Sequence, residues 1–185
     1  MKRRSKKKGR IGKVLFLLIL IGLGVLIFSL FRKEIFDALK PPIEKKDVTL
    51  YFSDSEGEYL VGEKRKIMKR DEVREEAKQI INELIKGPKG KLIPTIPART
   101  KLLSLQIGGE GVAKVNFDKT LSKEHPGGSS AEMMTLYSIV NSLTLNFPQI
   151  KRVQILIEGG PTETIAGHLS LRQPIPPKPD LIKRQ

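Results

Sequence analysis

Cysteine and tryptophan are absent from this 185-residue chain, and histidine occurs twice. Without cysteine there is no disulfide framework and no thiol to carry a lipid, so any exported part must hold together through an ordinary core. No Cys-x-x-Cys, His-Glu-x-x-His or Gly-x-Ser-x-Gly pattern occurs, and a phosphate-binding loop lacks both its spaced glycines and its Lys-Ser/Thr pair. Aromatic residues make up 5% of the chain, which removes the aromatic platforms usual in carbohydrate clefts.

Acidic residues are also missing from the first thirteen positions. There, eight Lys/Arg (Lys2, Arg3, Arg4, Lys6, Lys7, Lys8, Arg10 and Lys13) precede eighteen uncharged residues, Val14 to Phe31. At about 1.5 Å per residue this run covers about 27 Å, close to the roughly 30 Å hydrocarbon core of a bilayer. It reads as one transmembrane helix over 14–31 behind a basic cytoplasmic tail at 1–13. Only Arg32 and Lys33 sit close on the other flank, so clustered cations hold the N-terminus inside and the rest is expected outside. The chain is expected to be a single-pass protein of the bacterial cytoplasmic membrane. A cleaved signal peptide is the competing reading, but the apolar run exceeds the usual length and ends Phe28-Ser29-Leu30-Phe31-Arg32, without a small-x-small site.

The formal net charge of +14 suggests nucleic acid until it is divided along the chain. From Val48 to Pro174 there are 18 Lys/Arg and 15 Asp/Glu, a net of +3, so most of the excess lies in the tail beside the inner leaflet. Anionic lipid is the partner of that tail, at about 1 kcal/mol per cation near the surface, and nucleic acid is excluded.

Residues 32–47 read as a stalk, with Pro41-Pro42 stopping the helix. Residues 48–174 form one domain, and 175–185, with Pro176-Pro177-Lys178-Pro179, a flexible extended tail. Within the domain Val48, Leu50 and Phe52 alternate with Thr49, Tyr51 and Ser53, and a turn at Asp54–Gly57 leads into a return strand from Tyr59 toward Met68. Val73, Ala77, Ile80, Ile81 and Leu84 share one face of a helix over 71–86 that Gly87-Pro88 ends. A second hairpin pairs Leu103, Leu105 and Ile107 with Ala113, Val115 and Phe117. Another helix then opens at Ser129 with the stripe Met133, Leu136, Tyr137, Val140 and Leu143. Val153, Ile155 and Ile157 make a fifth strand and residues 165–171 a sixth. The fold class is α+β: a mainly antiparallel or mixed sheet of about six strands, two helices on one face, and one transmembrane helix ahead of it.

Candidate chemistry is sparse. His125 sits in the loop Lys123-Glu124-His125-Pro126-Gly127-Gly128, where it is solvated or steadies a turn. His168 is placed on a strand near Glu158 and Glu163, either bonded to backbone or as a metal or acid/base group. The most specific local feature is Pro126-Gly127-Gly128-Ser129-Ser130-Ala131-Glu132. Gly127, Gly128, Ser129 and Ser130 could present backbone N–H groups at a positive helix terminus to an anion or a partner. Ser129 and Glu132 also have the spacing of a capping box, which would consume those donors internally. No metal site and no cofactor is expected.

Leu50-Tyr51-Phe52-Ser53, Leu84-Ile85-Lys86-Gly87-Pro88 and Ile96-Pro97-Ala98-Arg99-Thr100-Lys101-Leu102-Leu103 succeed one another along the domain. Gly111-Val112-Ala113-Lys114-Val115-Asn116-Phe117, the Gly127-Gly128-Ser129 helix start, Val153-Gln154-Ile155-Leu156-Ile157-Glu158-Gly159 and Ala166-Gly167-His168-Leu169-Ser170-Leu171 follow. In that order they resemble the GerMN domain of bacterial sporulation and germination proteins. The resemblance implies a noncatalytic extracytoplasmic module, similar in shape to ring-building domains of a sporulation secretion-like complex. It also implies an assembly role through contacts with envelope proteins or with further copies of itself. A sheet edge or an uncovered sheet face would carry such contacts. The reading from another class is a peptidoglycan hydrolase or a wall-polymer binder.

Overall fold

The structure, a computed structural model, describes residues 5–38 and 44–184. The chain divides into two compact units, Met1–Pro42 and Ile43–Gln185.

Among the described residues the first unit is a single helix, α1 (Ser5–Ala38). Its stretch Gly12–Arg32, 21 residues with a mean hydropathy of 3.1, is long and apolar enough to cross a membrane. The helix starts inside the basic tail and runs past the apolar stretch. Much of the expected stalk is therefore helix or, from Lys45, strand. The Pro41-Pro42 stop and the first four residues lie outside the described residues.

The second unit is α+β, and its strands divide between two sheets instead of forming one. β1 (Lys45–Ser53) and β2 (Leu60–Met68) make an antiparallel hairpin by themselves. Alternation decides its faces: Val48, Leu50 and Phe52 are buried, while Thr49 and Tyr51 stand half-buried on the other side. β3 (Leu102–Ile107), β4 (Val112–Phe117), β5 (Arg152–Ile157) and the two-residue β6 (Gly160–Pro161) form the second sheet in that order. β4 and β5 run parallel, joined by a crossover through α3 (Thr120–Lys123) and α4 (Ser129–Thr144). An irregularity between Leu102 and Ser104 shifts the β3–β4 register, so Leu103 is 48% exposed and only Leu105 of the expected trio is fully buried.

α2 (Val73–Lys86) buries the expected stripe, and the N–H of Gly87, at φ +82°, bonds back to the Leu84 carbonyl as the helix ends. Both α2 and α4 touch both sheets. α4 is buried on nearly all sides, with Ser138, Asn141 and Ser142 as deep as its leucines. Ser138 and Ser142, with Asn146 just past the end of α4, explain the split sheet. Asn146 accepts the Thr49 N–H at 2.9 Å and donates to the Thr49 carbonyl at 2.7 Å. Ser142 accepts the Tyr51 N–H at 3.0 Å, and Ser138 donates to the Tyr51 carbonyl at 2.6 Å. Side chains spaced i, i+4, i+8 on α4 and the turn that follows it thus take the place of a third strand along β1.

Two further expectations are corrected. Residues 165–171 do not form a sixth strand: they are a loop held by the carboxylate of Glu132 on α4. The segment after Pro174 is not a free tail but a strap. Ile175 exchanges backbone hydrogen bonds with Val153, Asn141 brackets Lys178, and a 3-10 turn at Pro179–Leu181 lowers Leu181 against Leu60 and Met134. Ile182 and Lys183 then close on Leu60. Proline suits this path because a strap needs few of its own N–H groups.

Candidate functional site

The start of α4 is a turn built on two glycines, Gly127 at φ +83° and Gly128 at φ +85°. A Cβ at either would meet nothing within 4 Å, so backbone conformation alone and not space asks for glycine here. His125 steadies the turn. Its Nδ1 accepts the Gly127 N–H at 3.0 Å, which leaves the proton on Nε2, 3.0 Å from Thr135 Oγ1. Thr135 in turn donates to the Thr95 carbonyl. Burial lowers the His125 pKa against the pull of the Glu132 charge, which keeps the ring neutral in this arrangement.

The capping box does not form. Gly128 is the N-cap residue, no side chain caps the helix, and Ser129 and Ser130 are exposed. Glu132 turns the other way, into the protein, where it is 0% exposed. One oxygen accepts the N–H groups of Ile165 and Ala166 at 2.8 and 3.1 Å, the other those of His168 and Leu169 at 2.8 and 3.3 Å. Burial opposes the charge, but the four donors outweigh it and hold the carboxyl below the usual glutamate range. The carboxylate competes for partners of opposite dipole, and a loop of converging N–H groups offers four where the helix terminus offers one.

Beside the helix start lies an open cleft of about 570 Å³. Its walls are the turn after β1, the segment Ile93–Ala98 and the first turns of α4, including Ser130, Ala131 and Met134. Ile93 is fastened to Ser53 by two backbone hydrogen bonds, so the cleft has a fixed wall. Asp54 closes one end: it accepts the N–H groups of Glu58 and Tyr59 and faces Lys183 at 3.2 Å. Burial raises its pKa, and these donors more than reverse that. Glu56 and Glu124 stand on the rim.

The structure places the other sequence candidates apart. His168 is exposed in the loop around Glu132 and offers that carboxylate only its backbone N–H. Glu158, at φ +51°, accepts the Lys119 N–H, whereas Glu163 pairs with Arg172, so the two carboxylates do not share a site. Among the described residues no cluster of His, Asp and Glu is arranged to hold a metal ion. Sequence reasoning missed the inward Glu132 and the Ser138, Ser142, Asn146 ladder. The ladder had a signal in the four-residue spacing of Ser138, Ser142 and Asn146, which lines up polar groups along the helix and just past its end.

The sequence profile of the Germane family, described as "Sporulation and spore germination", matches residues 49–163. No curated protein sequence matches the chain. Among solved structures, a "Putative Lipoprotein from Clostridium perfringens" is 26% identical with a TM-score of 0.52, over 74% of this chain and 91% of that one. The first GerMN domain of the sporulation protein GerM from Bacillus subtilis is 23% identical with a TM-score of 0.55, over 75% and 98%. The tandem GerMN domains of the same protein give 20% identity and a TM-score of 0.60, over 74% of this chain and 48% of that one. This chain therefore spans about half of the tandem structure.

Proposed function

This chain belongs to the Germane family of sporulation and spore germination proteins, and on that premise we propose that it is a membrane-anchored scaffold or adaptor of the bacterial envelope. The N-terminal helix holds it in the cytoplasmic membrane with the basic tail inside and the α+β domain outside. The eight-to-two cation asymmetry across the apolar run supports that orientation. The chain has no cysteine to carry a lipid, so anchoring falls to the helix.

The observation that carries the contact role is how the buried ionisable groups are engaged. Glu132 holds a loop, Asp54 a turn, His125 the helix start, and Glu76 the Lys46 ammonium and the Arg70 N–H. Each serves the fold, while the open cleft beside α4 faces outward. The partners are envelope proteins, further copies of this chain among them, in a sporulation- or germination-type assembly.

Two measurements test the reading. A reporter active only outside the cytoplasm, fused after Gln185, works in this orientation; activity confined to a cytoplasmic reporter defeats it. Purified chain incubated with peptidoglycan releases no soluble fragments. Release that Glu158→Gln or His168→Ala abolishes would establish a hydrolase instead.

A further inference from the structure

We propose that the outer edge of β2, from Gly62 to Lys66, binds an acidic extended segment of a partner protein as an added strand. The proposal rests on the protein-contact reading above and names its surface. Thr49 and Tyr51 direct both N–H and carbonyl toward α4, so their cross-strand partners Lys64 and Gly62 belong to non-hydrogen-bonded pairs. In an antiparallel ladder both members of such a pair point their polar groups away from each other. Gly62 and Lys64 therefore aim N–H and carbonyl out of the hairpin, and alternation adds Lys66.

Both ends of this edge are closed by the fold. At Leu60 the carbonyl accepts the Lys183 N–H of the strap. At Met68 the side-chain amide of Gln79 takes the N–H and supplies a donor to the carbonyl, each at 2.8 Å. Between them, the outward groups of Gly62, Lys64 and Lys66 have no hydrogen-bond partner among the described residues. They form an open segment of sheet edge, the arrangement that strand addition uses.

Charge selects the occupant. Lys64 is exposed and joins no ion pair among the described residues, and Lys66 meets only the exposed Asp47. On the opposite face the Arg65 charge is answered by Glu63 and Glu83 at 2.5 and 2.8 Å. The uncompensated charge along the edge is thus positive. Two copies paired edge to edge would set lysines against lysines, which is unfavourable, whereas glutamates or aspartates on an incoming strand meet them across the ladder.

The test uses the full chain in detergent and two short labelled peptides, one of alternating Glu and Val, the other of alternating Lys and Val. The acidic peptide binds, and the amide protons of Gly62, Lys64 and Lys66 exchange more slowly in its complex. Lys64→Pro removes an N–H that no bond of the fold uses, at an edge position that tolerates proline. It weakens the acidic peptide about tenfold, the scale of losing one backbone hydrogen bond. Lys64→Glu with Lys66→Glu transfers preference to the basic peptide. Equal affinity of Lys64→Pro and the natural chain, or of the two peptides, overturns the proposal. A Lys64→Pro chain that still cross-links its envelope partner fully in cells does the same, yet leaves the contact reading intact. A natural chain that cross-links to no envelope protein sinks that earlier reading itself.

Discussion

The carboxylate of Glu132 lies 2.8 Å from the backbone N–H of Ile165, thirty-three residues further along the chain, and 2.8 Å from that of His168. A helix residue thereby shapes a loop that has no strand pairing of its own. Glu132→Gln keeps one acceptor oxygen but aims an amide at the other two donors, and is expected to cost about 3 kcal/mol. The native carboxyl is held below its ordinary range, so its contribution is complete above the usual glutamate pKa and fades as pH falls through the folded value. Urea unfolding at neutral and acid pH should show Glu132→Gln losing stability at pH 7 and converging with the native chain in acid.

Ser129→Ala should change stability by less than about 0.5 kcal/mol, since the side chain is exposed and caps nothing. Gly128→Ala places a Cβ at φ +85° and should cost about 1 kcal/mol. Thermal unfolding of the two variants ranks them. A larger loss from Ser129→Ala would restore the capping box.

His125 is neutral because burial lowers its pKa. Protonating it would put a hydrogen on the Nδ1 that accepts the Gly127 N–H. Its contribution is therefore present above the unfolded value, about 6.5, and declines as pH falls through the lower folded pKa. The melting temperature of the native chain should drop between pH 7.5 and pH 5.5, and His125→Gln should flatten that drop. An unchanged slope in the variant would remove His125 as its source.

Asn146→Ala orphans both the N–H and the carbonyl of Thr49, at an expected cost of about 2 kcal/mol, and Ser142→Ala should cost about 1 kcal/mol. Because the two residues serve one strand edge, the double variant should deviate from the sum. Additivity within error in a double-mutant cycle would mean the ladder does not act as a unit.

Elements whose apolar spacing matches their environment were legible in the sequence. The α2 stripe and the alternation of β1 follow directly from one buried face each. α4 was half-read, because a helix buried all round has no single stripe and its polar residues find partners far away in sequence. Residues 165–171 alternate like a strand, but the four donors around Glu132 satisfy that backbone without a ladder. The strap was unreadable for a different reason. Prolines signal the lack of helix or strand, while the docking of Leu181 beside Leu60 depends on a fold that composition does not encode. At the helix start the glycines were legible through their backbone conformation, and the direction of Glu132 was not.

Synthesis runs from the N-terminus, so the first hairpin leaves the ribosome well before its remaining partners. The acceptor for the Tyr51 N–H lies 91 residues later, and the one for Thr49 lies 97 residues later. Until Ser142 and Asn146 emerge, β1 has one side paired with β2 and the other facing water. A two-stranded hairpin is marginal in that condition. The first hairpin is consequently settled late although it is made first, and closing so long a loop slows folding. Any factor that meets the nascent domain encounters β1 as an open template, which the finished protein no longer displays.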